Sequence, residues 1–172
     1  MKDVKNVWHW WVGWKIERLE NWLEEMEQKG WNLVKVNYAF RFKFEKGESR
    51  KMRYSSDYQI NAKNDYFELF KEDGWELVDF QNDPWFIWRK SYENERPSIY
   101  TDTKSLIERN NRQIRSIIIM VPATIILFVV IGYFLKTRLI LALIIMSLVF
   151  YGYLIAQLYQ HNKKLKQTAI KC

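Results

Sequence analysis

Gly30-Trp31-Asn32-Leu33-Val34 returns further along the chain as Gly74-Trp75-Glu76-Leu77-Val78. Both stretches read the same way. A glycine takes the left-handed backbone conformation at little cost and so stops a helix. The tryptophan after it opens a strand with a large apolar anchor. Before the first glycine, Ile16, Leu19, Leu23 and Met26 recur at helical spacing, which predicts a helix over 15–29, with Glu17, Glu20, Glu24 and Glu27 off the apolar face. Before the second, Tyr66, Phe67, Leu69 and Phe70 predict another helix, and Trp22, Leu23 and Met26 align with Tyr66, Phe67 and Phe70. Phe40, Phe42 and Phe44 alternate with Arg41, Lys43 and Glu45, the pattern of a half-buried strand. Lys46-Gly47-Glu48 reads as a turn, and Met52, Tyr54 and Tyr58 continue the alternation in the next strand. Asn82-Asp83-Pro84 is a turn before a closing strand, Trp85 to Lys90. An aromatic strand precedes each helix, Val7 to Val12 and Arg50 to Gln59.

Each unit is therefore strand-helix-strand-strand, at about 5–46 and 50–90, inside a soluble domain of residues 1–92. One unit cannot cover its own sheet. Two side by side predict an α+β fold, an antiparallel sheet with both helices on one face.

The second half of the chain has another solvent. Ser116 to Leu135 and Leu139 to Tyr159 carry no charge, and only Lys136, Thr137 and Arg138 lie between them. Twenty helical residues cross about 30 Å of hydrocarbon, so these runs predict two transmembrane helices, 116–135 and 139–159, with Pro122 free to bend the first. Residues 93–115 form a linker and juxtamembrane helix, and 160–172 a basic tail. Residues 1–100 hold 17 basic and 18 acidic side chains, a net of −1, whereas 101–172 hold 10 and 2, a net of +8. The chain's +7 thus belongs to the membrane-flanking segments. Lys104, Arg109, Arg112 and Arg115 precede the first span, and Lys163, Lys164, Lys166 and Lys171 follow the second, which places both termini in the cytoplasm. Arg109, Arg112 and Arg115 are expected at the lipid head groups. The spans contain no Asp, Glu, Lys, Arg or His, so a hairpin anchor is favoured over a pore or carrier.

Several chemistries are excluded on residue types. The folded domain has no basic surplus, which argues against nucleic acid. A single cysteine, Cys172, rules out an intramolecular disulfide. His9 and His161 lie on either side of the spans, so neither a histidine triad nor a zinc motif can form within one segment. Asp57, Asp65, Asp73, Asp79 and Asp83 have no paired-carboxylate spacing, and Glu24 and Glu25 read as a solvated helix face. No catalytic residue, metal ligand or cofactor is expected, and the chain is read as a non-enzyme.

All nine tryptophans lie between Trp8 and Trp88. Most should build the core. In a strand, however, Trp8, Trp10 and Trp14 share one face and Trp11 the other, so some aromatic surface faces outward. Trp8, Trp10, Tyr38, Phe40 and Trp85 are the candidate residues for binding a protein partner or an apolar ligand.

Trp22-Leu-Glu-Glu-Met26, Gly30-Trp31-x-Leu33-Val34, Phe42-x-Phe44-Glu-Lys-Gly47, Arg53-Tyr54-x-x-Asp57-Tyr58, Gly74-Trp75-Glu-Leu-Val78 and Ile99-Tyr100-Thr101-Asp102, in that order, resemble the bacterial domain-of-unknown-function family numbered 2812. The resemblance implies a domain often followed by membrane helices and encoded beside PadR-type transcriptional repressors. It thus implies a regulatory setting, and it supplies no activity. The doubled strand-helix-strand-strand order is also similar to GyrI-like and haem-binding SOUL modules, an analogy of topology alone. The expectation is a membrane-anchored sensory or regulatory protein in contact with the lipid bilayer. The alternative is an oligomeric two-helix membrane effector or immunity protein, which would make the chain a homo-oligomer.

Overall fold

The computed structural model describes residues 3–37, 40–78, 84–100, 102–135 and 139–171, with side chains as far as Ala169. The chain divides into two compact units, 1–102 and 103–172.

In the first unit the order is β1 (Val4–Trp8), α1 (Ile16–Gln28), β2 (Trp31–Asn37), β3 (Arg41–Lys46), β4 (Met52–Tyr58), α2 (Asn64–Glu72), β5 (Glu76–Leu77) and β6 (Trp85–Ser91). The duplication is visible in the pairing. Each half forms a three-stranded antiparallel sheet with its last strand in the middle, β1-β3-β2 and β4-β6-β5. Both helices stop where the glycines require. Gly30 has φ +74° and Gly74 φ +77°, and a Cβ on Gly30 would lie 2.7 Å from the Gly47 carbonyl oxygen.

The α+β class and the antiparallel pairing are as expected, but the strands divide between two sheets instead of joining in one. The reason lies at the free edge of β4. The backbone N–H of Ser56 donates to Glu20 Oε1 at 2.7 Å and that of Tyr54 to Glu24 Oε1 at 3.4 Å. Helix α1 therefore occupies the edge where another strand would pair, and an edge so covered cannot extend the sheet. The two helices also lie on opposite faces of the second sheet. Ile87 joins Ile16, Leu19, Leu23 and Met26 of α1 and Leu33, Phe42 and Phe44 of the first sheet in the main core. Its neighbours Phe86 and Trp88 point the other way, to Tyr66, Phe67 and Phe70 of α2. Alternation along β6 thus serves two cores.

The aromatic strand before α1 is shorter than the expected 7–12. It ends at Trp8, and Gly13–Lys15 form a 3-10 turn leading into the helix. The turn residues Asn82 and Asp83 lie outside the described residues.

Of the two carboxylates read from sequence as a solvated helix face, Glu25 is exposed as expected, but Glu24 is not. Glu20, Glu24 and Glu27 are buried. Each follows an apolar residue by one position, about 100° round the helix, and so widens the buried face. Arg53 donates to Glu20 Oε2 at 3.0 Å and to Glu24 Oε1 at 2.6 Å. Glu27, with no exposed surface, accepts from Arg50 Nε (2.6 Å), Asn32 Nδ2 (2.8 Å), the Leu33 N–H (2.9 Å) and the Tyr54 hydroxyl (2.6 Å). Burial pushes the Glu27 carboxyl up, and the bonds from Arg50, Tyr54 and Leu33 outweigh it, leaving the group below its ordinary value. The Tyr54 hydroxyl is held well above its ordinary value by burial and by the Glu27 charge.

The segment after β6, read from sequence as a polar connector, is strapped to this unit. Arg96 donates to Glu24 Oε2 at 3.1 Å and to Asn21 Oδ1 at 2.6 Å. Tyr100 donates to Asp57 Oδ1 at 2.7 Å, and Ile99 packs on the α2 core.

In the second unit α3 (Thr103–Leu135) and α4 (Ile140–Lys171) form a two-helix apolar hairpin. Their apolar windows have mean hydropathies of 2.7 and 2.1, with none of either window buried, so each is long and apolar enough to cross a membrane. The helices extend well past the uncharged runs, and the 136–138 turn lies outside the described residues. Gly132 permits close approach near the turn, since a Cβ there would lie 2.5 Å from Ile140. Thr124 and Tyr151 share a hydrogen bond of 2.8 Å across the hairpin.

Candidate functional site

The chain around the end of β1 gathers rings because the strand stops early. Beyond Trp8 the backbone leaves the sheet, held by the His9 N–H donating to the Phe40 carbonyl at 3.0 Å. Trp10 then packs on Phe40, with ring centroids 4.3 Å apart. Trp11 meets Phe40 edge-on at 5.9 Å and Trp85 edge-on at 5.0 Å. Trp85 in turn meets Tyr58 at 5.2 Å. The result is a continuous ridge of Trp10, Phe40, Trp11, Trp85 and Tyr58, with edge-to-face geometry at most steps, the arrangement that aromatic quadrupoles favour.

One end of the ridge is anchored and the other is open. Trp11 and Trp85 are half-buried against the main core. Trp8 is 67% exposed and Trp10 77% exposed. Phe40 has φ +61°, a left-handed conformation that costs a non-glycine residue about 1–2 kcal/mol. That strain is located where Phe40 turns its ring between Trp10 and Trp11, and stored strain of this kind clusters at binding sites.

Beside the ridge lies a cavity of about 300 Å³ lined by His9, Trp10, Trp11, Val12, Lys15, Arg18 and Leu19. Its walls are largely apolar and its polar groups are cationic or neutral. His9 stacks on Trp22 at 4.0 Å with the rings 8° from parallel, and burial holds its basicity below the ordinary value. The cavity therefore suits an apolar body carrying a negative or hydrogen-bond-accepting end.

Of the five residues singled out from sequence, Trp10, Phe40 and Trp85 lie on one ridge, joined through Trp11. Trp8 stands exposed at the end of β1, opposite Arg41. Tyr38 lies outside the described residues. Trp11, Tyr58, Lys15 and Arg18 were not foreseen. Trp11 lies in the segment after β1, Lys15 in the 3-10 turn, Arg18 in α1 and Tyr58 in β4. Lys15 and Arg18 are one helical turn apart, but only the fold brings Tyr58 to the others.

The basic residues flanking the spans divide differently from expectation. Lys104, Arg115, Lys163, Lys164 and Lys166 are exposed and Arg112 is half-buried. Arg109 is buried, with Nε 3.3 Å from Asn110 Oδ1, so its charge is not displayed on the surface of α3.

A family model described as "Protein of unknown function (DUF2812)" matches residues 15–121, from the start of α1 into α3. No curated protein and no solved structure matches the chain. Trp8, Trp10 and Trp11 lie upstream of the matched residues, whereas Lys15, Arg18, Phe40, Tyr58 and Trp85 lie within them.

Proposed function

We propose, for a chain that belongs to the DUF2812 family of proteins of unknown function, a non-enzymatic sensory or regulatory role at a membrane. The α3–α4 hairpin crosses the bilayer twice and both termini are cytoplasmic. The soluble unit docks a protein partner or an apolar ligand with an acceptor end on the ridge of Trp10, Phe40, Trp11 and Trp85. The regulatory part of the reading draws on the resemblance to a family encoded beside PadR-type repressors.

One observation carries the docking proposal: Trp10 is 77% exposed at the open end of a ridge whose Trp11 and Trp85 are rooted in the core, and Trp8, two residues before it at the end of β1, is 67% exposed. Large exposed rings held rigidly by packed neighbours lose little entropy on binding, and tryptophan dominates many interface hot spots. Lys15 and Arg18 beside the cavity supply charge for orientation.

The test is site-directed photocrosslinking in native membranes. A benzophenone side chain at position 10 should give one dominant adduct, absent when the same group replaces Leu69, which is exposed on α2 away from the ridge. The adduct should vanish in the Trp8→Ser background. Equal labelling from positions 10 and 69 would reject the ridge as a docking site.

A further inference from the structure

Beyond their uncharged runs α3 and α4 continue as a polar pair. Asn110 Nδ2 donates to Asn162 Oδ1 at 2.7 Å, and Asn162 Nδ2 donates to Asn111 Oδ1 at 3.0 Å. Asn110 and Asn162 are buried, so this amide ladder fixes the two helices against each other. Beside the ladder lies a groove of about 440 Å³ lined by Ile107, Asn111, Tyr159, Asn162, Lys163 and Lys166. Among the described residues its lining carries two ammonium groups, two amides and a phenol, and no carboxylate. It adjoins a second groove of about 540 Å³, where Thr103, Lys104 and Glu108 enter.

The depth of this groove is legible from the helix rise. Tyr159 ends the uncharged run, and Asn162, Lys163 and Lys166 follow it by roughly 5, 6 and 10 Å along α4. Asn111 precedes Ser116 by roughly 7 Å along α3. The polar layer on each side of a bilayer is about 5–8 Å thick. The amides and Lys163 therefore fall at the level of lipid phosphates, and exposed Tyr159 falls at the boundary where tyrosine is enriched.

We propose that this groove binds the phosphate headgroup of an anionic glycerophospholipid, an inference that rests on the hairpin spanning the membrane. Lys163 and Lys166 neutralise the phosphate, Asn111 and Asn162 supply directional hydrogen bonds, and the acyl chains run past Tyr159 along the apolar face of α4. Tyr159 gives the groove an apolar wall at the hydrocarbon boundary that inorganic phosphate cannot use.

The experiment is native mass spectrometry of the full-length chain in mild detergent with phosphatidylglycerol, phosphatidylcholine or inorganic phosphate added. The wild type should retain one phosphatidylglycerol, favoured over phosphatidylcholine by roughly thirtyfold, the weight of two lysines close to an anionic surface. Lys163→Gln with Lys166→Gln should bring the ratio near one, and Lys163→Arg with Lys166→Arg should preserve it. Arg115→Gln with Lys164→Gln removes the same charge outside the groove and should leave the preference intact. Equal loss in that control pair, or no preference in the wild type, overturns the site. Displacement of the lipid by millimolar inorganic phosphate overturns the lipid assignment. Reconstitution separates the premise: a chain that enters liposomes yet shows no headgroup preference refutes the groove alone, and one that stays in water refutes the spanning hairpin.

Discussion

Glutamine in place of Glu27 keeps the shape of the side chain and removes one of its two acceptor oxygens and its charge. The wild-type carboxylate accepts four hydrogen bonds of 2.9 Å or shorter from Arg50, Asn32, Leu33 and Tyr54. In the variant, two of these donors face an NH₂ group. A hydrogen bond to a charged group is worth about 1.5–3 kcal/mol, and a buried donor left unsatisfied costs a similar amount. The Arg50 side chain is 39% exposed and can rehydrate, so its share is discounted. The net expectation is a loss of about 3 kcal/mol, a large part of the ~5–15 kcal/mol that stabilises a domain of this size. All nine tryptophans lie in the first unit, so tryptophan fluorescence of the full chain in mild detergent reports its unfolding selectively. With a urea slope of about 1.5 kcal/mol per molar, the midpoint should fall by about 2 M. The sign with pH is also fixed. Glu27 has a folded pKa below its ordinary 4.5, so its stabilisation is complete above pH 4.5 and is lost as pH falls through the folded value. The gap between wild type and Glu27→Gln should therefore be constant from pH 5 to 7 and narrow below 4.5. A midpoint shift under about 0.5 M at neutral pH would refute the view that this carboxylate clamps α1 to β2 of the first sheet and β4 of the second.

Other substitutions test other joints of the account. Gly30→Ala sets a methyl group 2.7 Å from the Gly47 oxygen at φ +74°, and should cost about 1–3 kcal/mol in the same urea assay. Trp8→Ser with Trp10→Ser should change the midpoint little, within about 0.5 kcal/mol per site, while abolishing the photocrosslink; loss of fold instead would make these rings core. Tyr100→Phe removes the bond to Asp57 and should increase hydrogen exchange across residues 96–100, at a cost of about 1 kcal/mol. An impermeant thiol reagent should label Cys172 only after the cells are broken, and labelling of intact cells would reverse the proposed topology.

What the sequence disclosed was what local chemistry determines. The two glycines, the apolar stripe on α1 and the alternating strands each follow from neighbours within about ten residues, and the uncharged runs are determined by the solvent they fit. What stayed hidden was pairing at long range. Glu20, Glu24 and Glu27 look solvated because their partners Arg53, Arg96 and Arg50 lie far away in the chain. Without those partners the covered edge of β4 is invisible, and with it the division into two sheets. The early end of β1 was hidden for a related reason. Alternating tryptophans mimic a strand, while the contact that ends it, His9 with the Phe40 carbonyl, joins segments 31 positions apart. Trp10, Phe40 and Trp85 were legible as aromatic surplus, but their junction through Trp11 was not. The burial of Arg109 was not legible, because it depends on packing that spacing does not encode.

The two-solvent division of the chain is tested most directly by washing membranes from expressing cells at high pH, which strips proteins held only by surface contacts. The full-length chain should remain wholly in the washed membrane pellet, while a chain ending at Asp102 should be released to the supernatant. Recovery of the full-length chain in the aqueous supernatant would contradict the account, because Ser116–Tyr159 would then be buried in protein instead of lipid.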